Sequence, residues 1–549
     1  MLIIKGVYLY YLSLKKLFLS SLKEFIFQTK IYNKLLDSNI PSRFFFYPNP
    51  FLLSPLFDHK NFLYKITKND TSSFWEDVAD KKEKKNLHTF LWLSLIDRKS
   101  SSEIIQKIIL EWITIYGNYK KDSWSNNVIN SRVISWISNS DIILNKSTPE
   151  FQKLFLKYLV KQVNFIKKNF KNISEDQKKI KISATLILSG LVFKEYYNNN
   201  NLGLKELKKI ILNFFDKDGF PKSKNAENLI LFLQYFILTK EWIKNAQEPI
   251  PDYLEDIIEK NITCLNSLNN PSEKLPLFNG VTDKSLKKFF EYLEKLNYKL
   301  NKNLNFVGNI QIVKNKKTSL FFETGEPPQY DYSKDYQSGP FSFEYFSEKS
   351  KIITNCGYGR KISKKMQLMS KFTSAQSTLC IDNTSVVKFK KNYFVNSIND
   401  ATIKNTFKVS EITRNEDKKK IIISATHNAY LNKFGYLHKR LIEVSKKNEQ
   451  IIGTDTLINK KNIQDETKFS IRFHVFPGIS TIRTLSGKSI LLQISKNKSW
   501  IFLSNNRNIE VEKSLFLAGN RVLKNNCIVI YGSTRNENID IQWELKKSN

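Results

Sequence analysis

The chain has 549 residues, too many for one compact core, so two or three domains are expected. Its 87 Lys and Arg residues outnumber 52 Asp and Glu residues, and the resulting net charge of +35 would attract a nucleic acid, an anionic membrane or an acidic polysaccharide. Only 11 of the basic residues are Arg. Abundant Lys, Asn and Ile also follow from the codon bias of a genome rich in A and T, so both interpretations of the charge stay open. The scarcity of Arg and the lack of a nucleic-acid-binding motif argue against a nucleic-acid partner.

The cysteines are too far apart in the sequence for a zinc site of the usual CxxC spacing, and they argue against a disulfide framework. They are Cys264, Cys356, Cys380 and Cys527.

Residues 1–84 are predicted to form an extended segment that carries one basic amphipathic helix. The apolar run at the start is interrupted by Lys5, Lys15, Lys16 and Lys23, and no small-residue cleavage site follows it. This pattern is atypical of a signal peptide and of a membrane span. A helix that packs on the protein or touches a membrane surface is predicted instead, so peripheral membrane contact is one expected interaction.

Between residues 85 and 300, apolar residues repeat every three or four positions, as they do on the buried face of helices. In SSEIIQKIILEWITIYG this stripe includes Ile105, Ile109 and Trp112, and in STPEFQKLFLKYL a capping Ser147 or Thr148 precedes Pro149. Further helical runs cover roughly 178–193, 204–215, 226–245, 251–268 and 283–297. Helices in sequence with short connections predict a bundle or an α/α toroid.

Near residue 305 the period changes to two. Short runs rich in Ile, Val, Phe and Thr are separated by turn residues about every ten positions, which is typical of an antiparallel β-sandwich. The predicted fold class is therefore multidomain α and β, with an incomplete helical barrel (an α/α toroid) at residues 85–300 and an antiparallel β-sandwich at residues 305–549.

Several short motifs, taken in their order along the chain, resemble the heparinase II/III family, in particular a bacterial branch of it. In the second half they are FETGEPP (322–328), SGPFSFEYFS (338–347), NCGYG (355–359), AQSTLCIDNTS (375–385), THNAYLNKFGYLHKR (426–440) and IRFHVFPG (471–478). The helical half adds LHTFLWL (87–93), SRVISWI (131–137), DGFPKSKN (218–225) and LFNG (277–280).

The resemblance implies a polysaccharide lyase that performs β-elimination on a uronic-acid polysaccharide. This chemistry needs a base, a group that neutralises the uronate carboxylate and an acid for the leaving oxygen, but no cofactor. The partner implied is an anionic polysaccharide, and the implied location is the cell envelope or periplasm. Without a clear signal peptide, the cytoplasm is the alternative location. The alternative function is a carbohydrate-binding or cell-envelope protein that has kept the fold without catalysis.

The chain departs from the family pattern where some members hold zinc. Gln337, Asn355 and Gln376 stand where a His-rich segment, an Asp and a His are typical, and neutral amides are poor zinc ligands. No metal is therefore expected, and Gln337 and Gln376 become candidate substrate-binding residues. Asn225 in DGFPKSKN is a further substrate-binding candidate, with helix capping as the alternative role.

The segment ATHNAYLNKFGYLHKR predicts a hairpin with a turn between Asn432 and Lys433. His427 would then lie opposite His438, with Arg440 on the same face. One interpretation makes these residues, with Tyr430 as general acid, a catalytic site. The other is a structural network of buried hydrogen bonds. Two further histidines, His88 and His474, are interpreted mainly as structural.

Overall fold

The computed structural model describes residues 2–548, apart from 57–74, 76–79, 100–101, 174, 301, 390–401, 462–464, 486 and 506. The described part of the first half is helical. Its helices are α1 (Leu2–Gln28), α2 (Lys30–Lys34), α3 (Lys81–Leu87), α4 (Ser102–Tyr116), α5 (Asn126–Ser138), α6 (Ser140–Ile143), α7 (Pro149–Asn169), α8 (Asp176–Val192), α9 (Tyr197–Phe214), α10 (Glu227–Asn245), α11 (Asp252–Leu268) and α12 (Lys287–Lys295).

The predicted helical stripes are confirmed. In α4 the residues Ile105, Ile109 and Trp112 are at most 2% exposed, so the stripe faces the core. Helix α7 begins as predicted, because the Thr148 hydroxyl accepts a hydrogen bond from the Phe151 N–H (3.2 Å) and Pro149 occupies the first turn. Among the described residues, no helix has the length and apolarity needed to cross a membrane.

The second half contains seventeen strands and two short helices within its described residues. The strands are β1 (Phe306–Val307), β2 (Ile310–Lys314), β3 (Thr318–Glu323), β4 (Phe343–Ser347), β5 (Ser350–Thr354), β6 (Leu379–Ile381), β7 (Val409–Glu416), β8 (Lys420–His427), β9 (Tyr436–Ser445), β10 (Gln450–Asn459), β11 (Thr467–Val475), β12 (Ser480–Arg483), β13 (Ser489–Ser495), β14 (Lys498–Ser504), β15 (Ile509–Phe516), β16 (Leu523–Thr534) and β17 (Ile539–Lys547). The short helices are α13 (Lys364–Met369) and α14 (Leu431–Phe434).

The strands form two antiparallel sheets. One follows the order β1-β2-β3-β4-β5-β11-β16-β15, with β6 paired to β11, and the other follows β12-β13-β14-β17-β10-β9-β8-β7. Strand β9 shows why the sequence has a period of two, because its residues alternate strictly between buried and partly exposed. The two sheets share one apolar core, so the predicted β-sandwich is confirmed.

Trp543 on β17 stands at the centre of this core. Its ring stacks on Phe343 of the facing sheet, with ring centroids 5.4 Å apart, and meets the edge of Phe473 at 4.8 Å. On its own sheet, Trp543 pairs with Gly453 of β10, whose missing side chain leaves room for the indole ring. Aromatic pairs of this kind add to the stabilisation that comes from burying their area.

Contacts divide the chain into two compact units. One comprises residues 1–215 and 230–259, and the other comprises residues 216–229 and 260–549. The change from helices to strands falls near residue 300, between α12 and β1. The predicted domain ranges stay a prediction.

We expect Gly453→Ala to destabilise the sandwich. A Cβ atom at this position would lie 2.0 Å from Cζ2 of Trp543, and an overpacked core typically costs about 1–3 kcal/mol. Denaturant unfolding monitored by tryptophan fluorescence measures the change. Gly519→Ala is the matched control, because its Cβ would meet no atom within 4 Å. Equal stability of the two variants would contradict the packing described for Trp543.

Candidate functional site

The hairpin of β8 and β9 has the predicted register. His427 lies directly opposite His438, and Arg440 pairs across the next strand with Asp455 of β10. Asp455 was not among the predicted residues, because the sequence does not show which strand lies beside β9. The structure thus brings together the three predicted residues and adds a carboxylate to them.

A chain of hydrogen bonds fixes the tautomers of both histidines. The Ala429 N–H donates to His427 Nδ1 (3.2 Å), so His427 carries its proton on Nε2 and donates it to His438 Nδ1 (3.1 Å). His438 in turn donates from Nε2 to Asp455 Oδ1 (2.7 Å). Burial lowers the pKa of both histidines, which keeps the rings neutral. Neither ring therefore has a free lone pair for a substrate proton.

Arg440 is held on both sides. Its Nε and one terminal nitrogen donate to the two oxygens of Asp455 (2.7 and 2.9 Å), which is a bidentate ion pair. Its other terminal nitrogen donates to the carbonyls of Phe341 (2.7 Å) and Ser377 (2.9 Å). The Trp543 indole N–H also donates to Asp455 (2.9 Å). The charges are thus compensated inside the core, and Arg440 has little capacity left for a uronate.

Tyr430, the candidate acid, is equally engaged. Its hydroxyl donates to the Leu379 carbonyl (3.0 Å), and burial raises its pKa well above the ordinary value. Tyr430, His427, His438 and Arg440 are each at most 1% exposed, so a polysaccharide chain cannot reach them. This burial favours the structural network, and the catalytic role of the four residues stays a prediction without support from the geometry.

The predicted residues Gln337 and Gln376 meet in a buried cluster of amides. The Gln337 side chain donates to the carbonyls of Gly357 (3.1 Å) and Ser370 (2.8 Å), and its oxygen accepts from the Gly280 N–H (3.0 Å). Gln376 donates to the same Ser370 carbonyl (2.9 Å). Both side chains are therefore used to hold backbone segments together.

Asn355 completes this cluster of amides. Its Oδ1 accepts from the Ser377 N–H (2.9 Å), and its Nδ2 donates to the Leu277 carbonyl (3.5 Å). The three amides do not fit the zinc site of some family members, because they offer no anionic or imidazole ligand. Gln337 and Asn355 also bind the backbone through both polar atoms, and Gln376 does so through its amide nitrogen. Nowhere in the described part of the chain do three or more His, Cys, Asp or Glu side chains form a group suited to a metal ion.

Asn225 belongs to a second polar cluster, centred on Asp335. Its Oδ1 accepts from the Glu227 N–H at the start of α10 (2.9 Å), so it has the capping role, and its Nδ2 donates to Asp335 (3.1 Å). The Tyr358 hydroxyl donates to the other oxygen of Asp335 (3.2 Å). Arg360 pairs with Glu227 and lies 4.0 Å from Asp335. We call these five residues the Asp335 cluster.

Gly280 joins the Asp335 cluster to the cluster of amides. It adopts a φ of +95°, and a Cβ there would lie 2.6 Å from the Cβ of Asp335 and 2.9 Å from Nδ2 of Asn225. Its N–H binds Gln337. Only glycine fits this position, which gives a physical reason for the last residue of the LFNG motif.

Asp335, Tyr358 and Arg360 are not among the residues predicted from the sequence. Tyr358 lies inside the NCGYG motif and Arg360 directly follows it, while Asp335 precedes the SGPFSFEYFS motif by three residues. The available signal was therefore their position in or beside motifs that resemble the family. Arg360 is the exposed member of the cluster, because 36% of its side chain is accessible to solvent.

Glu323 is a further residue that is not among those predicted from the sequence. Burial raises its pKa to about 7, while a hydrogen bond from Asn279 (2.7 Å) and the nearby Lys224 act in the opposite direction. The same Asn279 accepts a hydrogen bond from the Gln337 N–H (3.3 Å). A carboxyl group that changes charge near neutral pH has the property required of a general base, but Glu323 is only 3% exposed.

The remaining described histidines have structural partners. His88 accepts a hydrogen bond from the Trp112 indole (3.2 Å) and stacks on Trp75. His474 donates from Nε2 to the Ser374 carbonyl (3.1 Å), which leaves Nδ1 to accept from the Ser514 hydroxyl (3.0 Å). Burial lowers the pKa of His88 to about 3 and that of His474 to about 4. Both agree with the predicted structural role.

We expect Asp455→Ala to destabilise the sandwich strongly without changing polysaccharide affinity. Removing one partner of a buried ion pair leaves an uncompensated charge on Arg440, at a cost of about 3–5 kcal/mol. Chemical denaturation measures the loss, and Asp540→Ala is the control, since Asp540 is an exposed aspartate on neighbouring β17. Lower affinity at unchanged stability would instead identify the hairpin as a binding site.

We also expect stability to fall as the pH drops from 7 to 5. The pKa values of the buried His88 and His474 lie below their ordinary value of 6.5. The unfolded chain therefore binds more protons below pH 6.5, and each of these histidines removes roughly 1–2 kcal/mol by pH 5. The raised pKa of Glu323 acts in the opposite direction between pH 7 and 4.5.

Unfolding midpoints at several pH values test this balance, with His474→Gln as the comparison. The variant should show a shallower pH dependence because one titrating group is gone. A pH dependence identical to that of the unchanged chain would contradict the assignment of His474 as a neutral, buried ring.

Solved structures of other proteins resemble this chain in fold. The chain resembles the heparan sulfate lyase HepC of Pedobacter heparinus with a TM-score of 0.66 at 14% sequence identity, over 86% of this chain and 78% of that one. It resembles a heparinase III structure with a TM-score of 0.65 at 14% identity, over 86% of this chain and 79% of that one. The predicted α/α toroid and β-sandwich class is thereby confirmed.

A curated relative is FtsZ-localized protein C of Caulobacter vibrioides, which is 22% identical over 234 residues. The match covers 41% of this chain and 40% of the relative. Residues 306–544 match the family model described as heparinase II/III-like, C-terminal. Residues 306–544 are therefore a heparinase II/III-like C-terminal domain, and the chain shares its overall fold with a heparan sulfate lyase and a heparinase III.

Proposed function

We propose that this protein binds an anionic, uronate-containing polysaccharide and does not cleave it. The net charge of +35 supports an anionic partner. The likeness in fold to a heparan sulfate lyase and to a heparinase III supports a polysaccharide as that partner. Binding without catalysis is the alternative function that the sequence leaves open, and the geometry of the cluster of amides and of the Asp335 cluster favours it.

The proposal rests on the hydrogen bonds of Gln337. This residue stands where the family resemblance implies a His-rich segment, and both its amide nitrogen and its oxygen are bound to the backbone. An amide neither accepts nor releases a proton near neutral pH, so it cannot serve as the base. The neighbouring Tyr358 donates to Asp335 and has a pKa raised well above the ordinary value, which keeps its hydroxyl protonated.

Arg360 is our choice for the residue that contacts the polysaccharide. It combines a permanent positive charge with partial exposure at the edge of the Asp335 cluster. Its position is fixed by Glu227 on one side and Asp335 on the other. A fixed guanidinium loses less side-chain entropy on binding a carboxylate than a free one does.

A metal-independent lyase is the second candidate, and Glu323 favours it. Its pKa of about 7 would let the carboxylate accept a proton at neutral pH. β-Elimination would then transfer the proton beside the uronate carboxylate to Glu323. The electron pair of the broken C–H bond would form a C=C double bond in the sugar ring, while the glycosidic C–O bond breaks and an acid protonates the leaving oxygen. The 3% exposure of Glu323 argues against direct contact with a polymer.

We expect binding without cleavage when the protein is incubated with a panel of uronate polysaccharides: heparan sulfate, chondroitin sulfate, alginate and polygalacturonate. Retention on the immobilised polysaccharides measures binding. The ultraviolet absorbance of the unsaturated sugar measures cleavage. Product that forms with the unchanged chain and disappears in Glu323→Gln would overturn the first proposal and establish the second.

The matched variants are Arg360→Gln and Arg483→Gln, of which the latter lies on β12 at the edge of the other sheet. Loss of one partly exposed ionic contact should weaken binding by a factor of roughly 2–10 in Arg360→Gln. Arg483→Gln should bind as the unchanged chain does. Equal weakening in both variants would indicate attraction by net charge alone, and no binding to any member of the panel would remove the proposal.

A further inference from the structure

The N-terminal helix α1 carries a continuous stripe of exposed apolar side chains. Tyr11, Leu14, Phe18, Leu22 and Phe25 follow one another at intervals of three and four residues and therefore share one face. Their exposed fractions are 57, 46, 68, 44 and 69%. Large apolar side chains that are exposed together in this way mark a surface that binds a protein, a membrane or a ligand.

At its C-terminal end, α1 packs on the rest of the protein through the face opposite the stripe. The Phe27 ring contacts Tyr119 and Phe165, with centroids 5.1 and 5.2 Å away. Glu24 forms an ion pair with Lys121 (2.9 Å). Phe27 follows Phe18 by nine residues, which places it about 180° around the helix. The apolar stripe therefore points away from the residues that hold the helix.

The charged residues of α1 indicate which kind of partner this apolar surface binds. Lys15 is exposed at the edge of the stripe, about 60° around the helix from Phe18, and Lys23 is exposed about 140° from it. The sole acidic residue in the sequence of α1, Glu24, is already paired with Lys121. A second copy of the chain would place these lysines beside their own equivalents, on a molecule that carries +35. An anionic lipid surface instead offers negative charge next to an apolar layer, which matches both features of the stripe.

We propose that α1 lies in the surface of a membrane that contains anionic lipid. The apolar stripe enters the boundary between headgroups and acyl chains, Lys15 at the edge of the stripe contacts the headgroup phosphates, and Lys23 adds to the attraction at longer range. The compact unit that contains α1 is thereby held at the membrane. This interaction goes beyond the proposed polysaccharide binding and uses none of its residues.

Co-sedimentation of the full chain with vesicles tests the proposal. Binding is expected to vesicles of phosphatidylglycerol and phosphatidylcholine, with much weaker binding to phosphatidylcholine alone. Phe18→Ser combined with Phe25→Ser should weaken the binding by about tenfold or more, because two large side chains no longer enter the bilayer. Lys15→Gln combined with Lys23→Gln should weaken it and reduce its dependence on salt.

Leu485→Ser is the matched control, since Leu485 is a fully exposed leucine between β12 and β13. It should bind as the unchanged chain does. Thermal melting of every variant verifies the fold, and the lysine pair keeps the test decisive should the phenylalanine pair melt early. Absence of binding to anionic vesicles, or equal binding by the phenylalanine and control variants, would overturn the proposal. So would a dimer in lipid-free solution that the phenylalanine substitutions dissociate, because the stripe would then bind a second copy.

Discussion

The buried carboxylate of Asp455 is the group around which the sandwich is organised. It accepts hydrogen bonds from His438 and Arg440 on β9 and from Trp543 on β17, so it ties three adjacent strands together through their side chains. Arg440 extends this connection across the core to the carbonyls of Phe341 and Ser377, which belong to segments associated with the facing sheet. A charge inside an apolar core is tolerated only when it is compensated and hydrogen-bonded, and every donor around Asp455 contributes to that compensation.

The same network accounts for an unusual backbone conformation. Phe341 adopts a φ of +62°, which is costly for a residue with a side chain. Its carbonyl accepts from Arg440, and its ring packs on His427 and His438 with centroids 4.8 and 5.5 Å away. The β8–β9 hairpin thus holds Phe341 in this conformation through both its carbonyl and its ring. The hydrogen bonds around Asp455 in turn fix the hairpin. His427, His438 and Arg440 therefore act in the structure as parts of the scaffold.

The cluster of amides and the Asp335 cluster meet at Gly280. Unlike the Asp455 network, they include a side chain that is exposed to solvent. Gln337 and Gln376 hold backbone segments together, as the core residues do. Arg360 extends from the neighbouring Asp335 cluster toward solvent. A fold that resembles lyases therefore has a partly exposed, ion-paired arginine at its surface and neutral amides behind it. The proposed recognition of an anionic chain without cleavage rests on this arrangement.

The sequence by itself determined the class of each half and the register of the hairpin. Periodicity of three to four and of two reports which residues face a core, and the symmetry of the turn at residues 432 and 433 places His427 opposite His438. Only the tertiary structure decided which face of that hairpin is buried and that β10 brings Asp455 beside it. It also decided that Asn225, Asp335 and Tyr358 meet across long sequence separations. Burial and non-local pairing depend on how the strands are ordered in the sheets. Neither the period nor the spacing of residues in one chain specifies that order. A polar residue on a strand therefore gives the same sequence pattern whether its side chain faces solvent or is buried with a partner that compensates its charge.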